Sequence, residues 1–121
     1  MDMFSAKQYW DAVLSQDRGR IRALFVPEAE IRWPCTGESF TPESFAAVNS
    51  VYPGAWEGEI EREERLGTLV ICAARIRSKE NGASFHAVSF IRHDGERILS
   101  LVEYWGDDGA PPQWRRELLK E

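Results

Sequence analysis

The stretch ASFHAVSFIRHDGERILSLVEYWG, residues 83–106, decides how the rest of the chain is read. Two runs rich in strand-forming residues flank Asp94-Gly95. Asp-Gly between such runs is the strongest short-range hairpin signal, because a type I′ turn needs positive φ at both central residues. With Asp94 and Gly95 as that turn, or with residues 93–96 as a longer loop, His93 stands opposite Glu96. The pairing that follows puts His86 opposite Glu103, Ser84 opposite Trp105, Val88 opposite Leu101 and Phe90 opposite Leu99. Directly opposed side chains share a face, with Cβ atoms roughly 4.5–5.5 Å apart. One face then carries an apolar base of Val88, Phe90, Leu99 and Leu101, and at its far end His86, Glu103, Trp105 and Ser84. A His and a Glu side by side at the end of an apolar face read as a pocket rather than plain core.

Working outward, 121 residues are enough for one domain with one core and too few for two. The net charge of −5 offers no basic footprint for nucleic acid. No apolar run approaches the roughly 20 residues of a membrane-spanning helix, and no polybasic amphipathic segment suits a membrane surface. The first ten residues lack the basic start and apolar stretch of a signal peptide. Cys35 and Cys72 form neither a disulfide scaffold nor a metal-ligand spacing, so a cytoplasmic location is expected. Five Trp in so short a chain point to a dense aromatic core or a ligand-lined cavity.

Residues 4–15 read as a helix: Ser5 with Gln8 is a capping box, Phe4 staples onto Tyr9, and Ala6, Tyr9, Trp10, Val13 and Leu14 share one face. Asp17 caps a second short helix with Ile21, Leu24 and Phe25 on its apolar stripe, ended by Pro27. A short strand over 29–33 stops at Pro34. Thr41-Pro42-Glu43 opens a third helix to about Val51, with Phe45, Val48, Asn49 and Tyr52 on one face. Residues 57–65 (EGEIEREER) carry charge on both faces and read as a strand at a sheet edge or cavity rim. Residues 69–78 read as a strand buried along its first half, and residues 79–82 turn it into the hairpin. From residue 107 a Gly/Pro loop leads into a short helix over 113–120. Helices followed by a run of antiparallel strands argue an α+β fold, helices covering one sheet face.

That order, the FVPEAEIRWPC segment (25–35), the TPESF helix start (41–45), the YPGAWEGEIERE run (52–63) and the closing hairpin resemble the nuclear transport factor 2-like superfamily in its SnoaL-like branch. The resemblance covers nearly the whole chain. It implies a cone: a strongly curved antiparallel (mixed) sheet packed around three N-terminal helices, with an internal cavity open at one end. It also implies a homodimer through the outer sheet face. The superfamily includes ketosteroid isomerase, scytalone dehydratase and polyketide cyclases alongside non-catalytic binding modules, so the site must settle function.

As catalytic candidates, His86 and Glu103 form either a proton shuttle oriented by a carboxylate or a self-satisfied polar pair at a wet sheet edge. SnoaL-like cyclases and ketosteroid isomerases typically use an acid on the sheet as base. Asn49 holds backbone or meets a ligand carbonyl. Trp33, Trp56 and Trp105 suit a cavity mouth, or core closure and a dimer surface. Phe90 completes the apolar lining, and Tyr52, rather than Tyr104, is placed to donate to an oxyanion. Cys35 lacks the electropositive setting of a nucleophile. His86 and His93 have opposite parity on one strand and cannot share a metal, so neither metal nor cofactor is expected. The expected partner is a small hydrophobic molecule. Two functions follow: cofactor-free acid/base chemistry next to a carbonyl (isomerisation, dehydration or cyclisation), or ligand binding or protein interaction without catalysis.

Overall fold

The computed structural model describes residues 4–120. Helices α1 (Ala6–Ser15) and α2 (Arg18–Ala23) come first, then strands β1 (Phe25–Trp33) and β2 (Glu38–Phe40) and helix α3 (Pro42–Ser50). Strands β3 (Trp56–Leu66), β4 (Leu69–Ser78), β5 (Ser84–His93) and β6 (Ile98–Asp107) follow as a meander, before helix α4 (Gln113–Leu119). The strands form one sheet in the order β2-β1-β6-β5-β4-β3. The β1–β6 pairing is parallel and the others are antiparallel, so the fold is α+β with a mixed sheet.

The helix starts follow from local chemistry. Ser5 Oγ accepts from the Gln8 N–H and the Gln8 side chain accepts from the Ser5 N–H at 2.9 Å, while Thr41 Oγ1 accepts from the Ser44 N–H at 3.1 Å. Each such cap stabilises its helix by about 1 kcal/mol. The apolar stripe of α1 (Ala6, Tyr9, Trp10, Val13) packs onto the inward set of β4 (Val70, Cys72, Ala74, Ile76), whose burial alternates along the strand. Phe45 of α3 lies edge-on to Phe25 and Trp33 of β1.

Three expectations are corrected. Strand β1 begins at Phe25 rather than at Ala29, and α2 stops at Ala23. Pro27 fits inside β1 because the ladder is irregular between Phe25↔Ile98 and Glu30↔Ser100, where no N–H is required of it. Strand β2 gave no sequence signal, being three exposed or half-exposed residues at the sheet edge.

The third correction moves the candidate site. Asp94 Oδ1 accepts from the N–H groups of Glu96 (3.0 Å) and Arg97 (2.8 Å), Gly95 takes φ +101°, and the hairpin closes on His93↔Ile98. The next pair is Arg92↔Ser100, so Leu99 is an extra residue in β6. The physical reason is burial. Ile98 and Leu101 are both fully buried, yet strict alternation would send them to opposite faces; a bulge at Leu99 lets both point inward. From there His86 pairs with Gly106 and Ser89 with Glu103, three residues away from the expected register. An odd displacement exchanges the faces. His86 and Phe90 therefore lie on the outer face, and Glu103 and Trp105 on the inner one.

A candidate active-site cavity around Glu103

A cavity of about 250 Å³ opens between the inner sheet face, α1 and the end of α3. That is just below the ~300–1,000 Å³ typical of pockets for drug-sized ligands, so it suits a small molecule. Glu103 of β6 lies in its wall, 5% exposed. Its Oε2 accepts from Tyr9 Oη at 2.7 Å and from Ser89 Oγ at 2.6 Å. Burial pushes the Glu103 carboxyl above its ordinary range, while the Ser89 and Tyr9 hydroxyls and the Trp33 indole pull it partly back. Tyr9 is pushed well above the usual phenol value, first by burial and then by the Glu103 charge. Tyr9 is therefore a fixed donor and Glu103 the group that titrates.

The remaining walls are mostly aromatic. Trp33, at the end of β1, stands edge-to-face with Trp105 at 6.1 Å and 86°. Phe85 bridges Trp105 (6.3 Å) and Trp56 (5.7 Å), and Tyr52 leans on Trp56 at 6.0 Å. Trp56 is itself held by its Nε1–H, which donates to Pro53 O at 2.8 Å. Gln16, the left-handed C-cap of α1, donates through Nε2 to Tyr52 O (2.7 Å) and Asn49 O (3.3 Å), fixing the end of α3 over the cavity. Asn49 lines the cavity; its Nδ2 donates to Phe45 O at 2.9 Å.

Of the residues singled out from sequence, Trp33, Asn49, Tyr52, Trp56, Glu103 and Trp105 meet at this one cavity. Two do not. Phe90 sits on the outer face, 37% exposed, edge-on to Tyr104 at 6.1 Å. His86 is also outside, where its Nδ1 pairs with Asp108 and its Nε2 lies 3.1 Å from Glu61 Oε1. Asp108 and then Glu61 raise the His86 pKa by hydrogen bonding to it. The expected His86–Glu103 proton shuttle is thus overturned: the sheet separates the two side chains, because the bulge at Leu99 shifts the register by an odd step.

Sequence reading missed Tyr9, Ser89 and Trp10. Tyr9 was visible only as part of an apolar stripe, although a buried phenol needs a partner for its hydroxyl. Ser89 breaks an inward set of Ala87 and Ile91, a signal usable only once the register is known. Cys72 lies near Glu103, with burial pushing its thiol up to about 11, so it stays protonated. Among the described residues no group of His, Cys, Asp and Glu is arranged to hold a metal ion.

No family model matches the chain and no curated protein matches it in sequence. Solved structures do match. A proposed ketosteroid isomerase of Kribbella flavida superimposes with TM-score 0.77 over 96% of this chain and 85% of its own, at 20% identity. A nuclear transport factor 2-like protein of Burkholderia xenovorans gives TM-score 0.73 over 95% of this chain and 90% of its own, at 21% identity. A proposed SnoaL-like polyketide cyclase of Shewanella putrefaciens gives 0.69 over 81% of this chain and 75% of its own, at 16% identity. With its mixed six-stranded sheet, its helices against one sheet face and these neighbours, the chain has the nuclear transport factor 2-like fold, in the form shared with ketosteroid isomerase-like and SnoaL-like proteins.

Proposed function

We propose that the chain binds a small, largely apolar molecule in the Glu103 cavity and carries out cofactor-free acid/base chemistry on it, next to a carbonyl. The observation that carries the reading is one carboxyl, on the sheet, buried in an aromatic-walled cavity and pushed above its ordinary pKa. A carboxyl in that state is strong enough as a base when ionised and can return the proton to a neighbouring atom. Tyr9 and Ser89 are positioning residues: both hydroxyls donate to Oε2 and fix the carboxyl in the cavity wall. The aromatic walls exclude water, which strengthens electrostatic interactions inside. His86 has no part in this chemistry.

The test is Glu103→Gln, which keeps the shape and the acceptor for Tyr9 but cannot take a proton. A thermal-shift screen against ketone-bearing aromatics supplies the ligand. The variant should keep its affinity and lose turnover by about a hundredfold or more. Full turnover in the variant ends the reading, and binding with no turnover in either protein leaves a non-catalytic binding module.

The chain also pairs with a second copy through the outer sheet face. Phe90 and Tyr104 support this, as large apolar groups side by side and exposed on that face, which also carries Arg75, Arg92 and Glu64.

A further inference from the structure

The charge of the cavity says more about its ligand. Three acids line it, Glu38, Glu103 and Asp107, and no Lys, Arg or His does. None of the three forms an ion pair among the described residues. Glu38 accepts only from Thr36 Oγ1 (2.6 Å), and Glu103 is held by neutral hydroxyls while more than nine-tenths buried. A buried carboxylate without a cationic partner is costly.

The walls supply the complementary half. Trp33 and Trp105 stand at 86° to each other, and Phe85 is inclined at 58° to Trp105 and 62° to Trp56. These four rings pack edge-on or tilted against one another and all line the cavity, so a cation seated there lies within reach of several π-systems, the contact by which aromatic groups hold alkylated ammonium ions. An anion entering the cavity would meet unpaired carboxylates and no donor cation. A neutral molecule would satisfy the walls and leave the buried Glu103 without a counter-charge, while Glu38 and Asp107 are exposed and solvated at the rim.

We infer that the ligand of this cavity is a small cation, an alkylated amine or quaternary ammonium on an apolar body, seated among Trp33, Trp56 and Trp105 and facing the Glu103 carboxylate. This rests on the small-molecule reading above and narrows its substrate class. The cation also restores the ionised form of Glu103 that proton abstraction requires.

Three phenyl-bearing probes decide it: phenyltrimethylammonium, its neutral isostere tert-butylbenzene, and the anion benzoate. Quenching of the cavity tryptophans and chemical-shift changes in the purified protein report binding. The ammonium should bind at least about tenfold more tightly than tert-butylbenzene, with benzoate weakest. Glu38→Gln with Asp107→Asn should shrink that preference severalfold and leave tert-butylbenzene binding unchanged. If tert-butylbenzene or benzoate binds as tightly as the ammonium, the cation inference falls and the cavity reading stands. If none of the three binds, the cavity reading itself falls and takes this inference with it.

Discussion

Replacing Tyr9 by Phe removes one oxygen from the interior and nothing else. In the folded protein that oxygen donates to Glu103 Oε2 at 2.7 Å, and Ser89 Oγ donates to the same atom at 2.6 Å. A hydrogen bond to a charged group contributes about 1.5–3 kcal/mol net. With Ser89 still in place, Tyr9→Phe should cost about 1.5–2 kcal/mol when Glu103 is ionised. For a chain of this size that lowers Tm by roughly 5–10 °C. The pH dependence gives the prediction its edge. Burial raises the Glu103 pKa above its reference value of 4.5, so its contribution to stability is fully present below that value and is lost as pH rises through the folded pKa. Tyr9 offsets part of that loss by favouring the ionised form. Below the folded pKa the bond is to a neutral acid and is worth only about 0.5–1.5 kcal/mol. The penalty of Tyr9→Phe should therefore grow as pH rises, and in a Glu103→Gln background it should be flat. Urea unfolding followed by tryptophan fluorescence across the pH range reads both quantities. A penalty under about 0.5 kcal/mol at alkaline pH, or one that does not change with pH, refutes the assignment of Glu103 as the ionisable centre of the cavity.

Gly58→Ala places a Cβ 2.8 Å from Ile76 Cδ1 and 3.1 Å from Leu14 Cδ1. Both are side-chain tips in the cavity wall, so they yield inward: ligand affinity should drop severalfold in a titration, while Tm changes by only a few degrees. His86 should titrate above the ordinary value of about 6.5 when followed by proton NMR, and Asp108→Asn should bring the midpoint down, because Asp108 is the larger cause of the upward shift. The stability it contributes is lost as pH rises through that midpoint. His86→Ala should leave ligand affinity in the cavity unchanged; a large loss would return His86 to the site. Phe90→Glu on the outer face should convert a dimer to monomers in sedimentation velocity, and an unchanged mass would exclude that face as the contact.

Neighbours along the chain settle the helix starts and mark the sheet edge. Ser5, Asp17 and Thr41 cap helices because their side chains reach backbone N–H groups within a turn. Charge on both faces of residues 57–65 marks an edge, and β3 is one of the two edge strands. Trp33, Trp56, Trp105 and Asn49 could be gathered at one end because each sits beside a turn or at a strand or helix terminus. The face that each hairpin residue presents is settled instead by long-range packing. Locally, Asp94-Gly95 suits several turns that differ little in energy. The choice falls to the core, where burying Ile98 and Leu101 together forces out Leu99 and moves every later pair by an odd step. That step put Glu103 beside Tyr9, a residue far away in sequence, and put His86 on the opposite side of the sheet. A period of two is unforgiving: one extra residue, selected by burial summed over the whole sheet, decides which carboxyl lines the cavity.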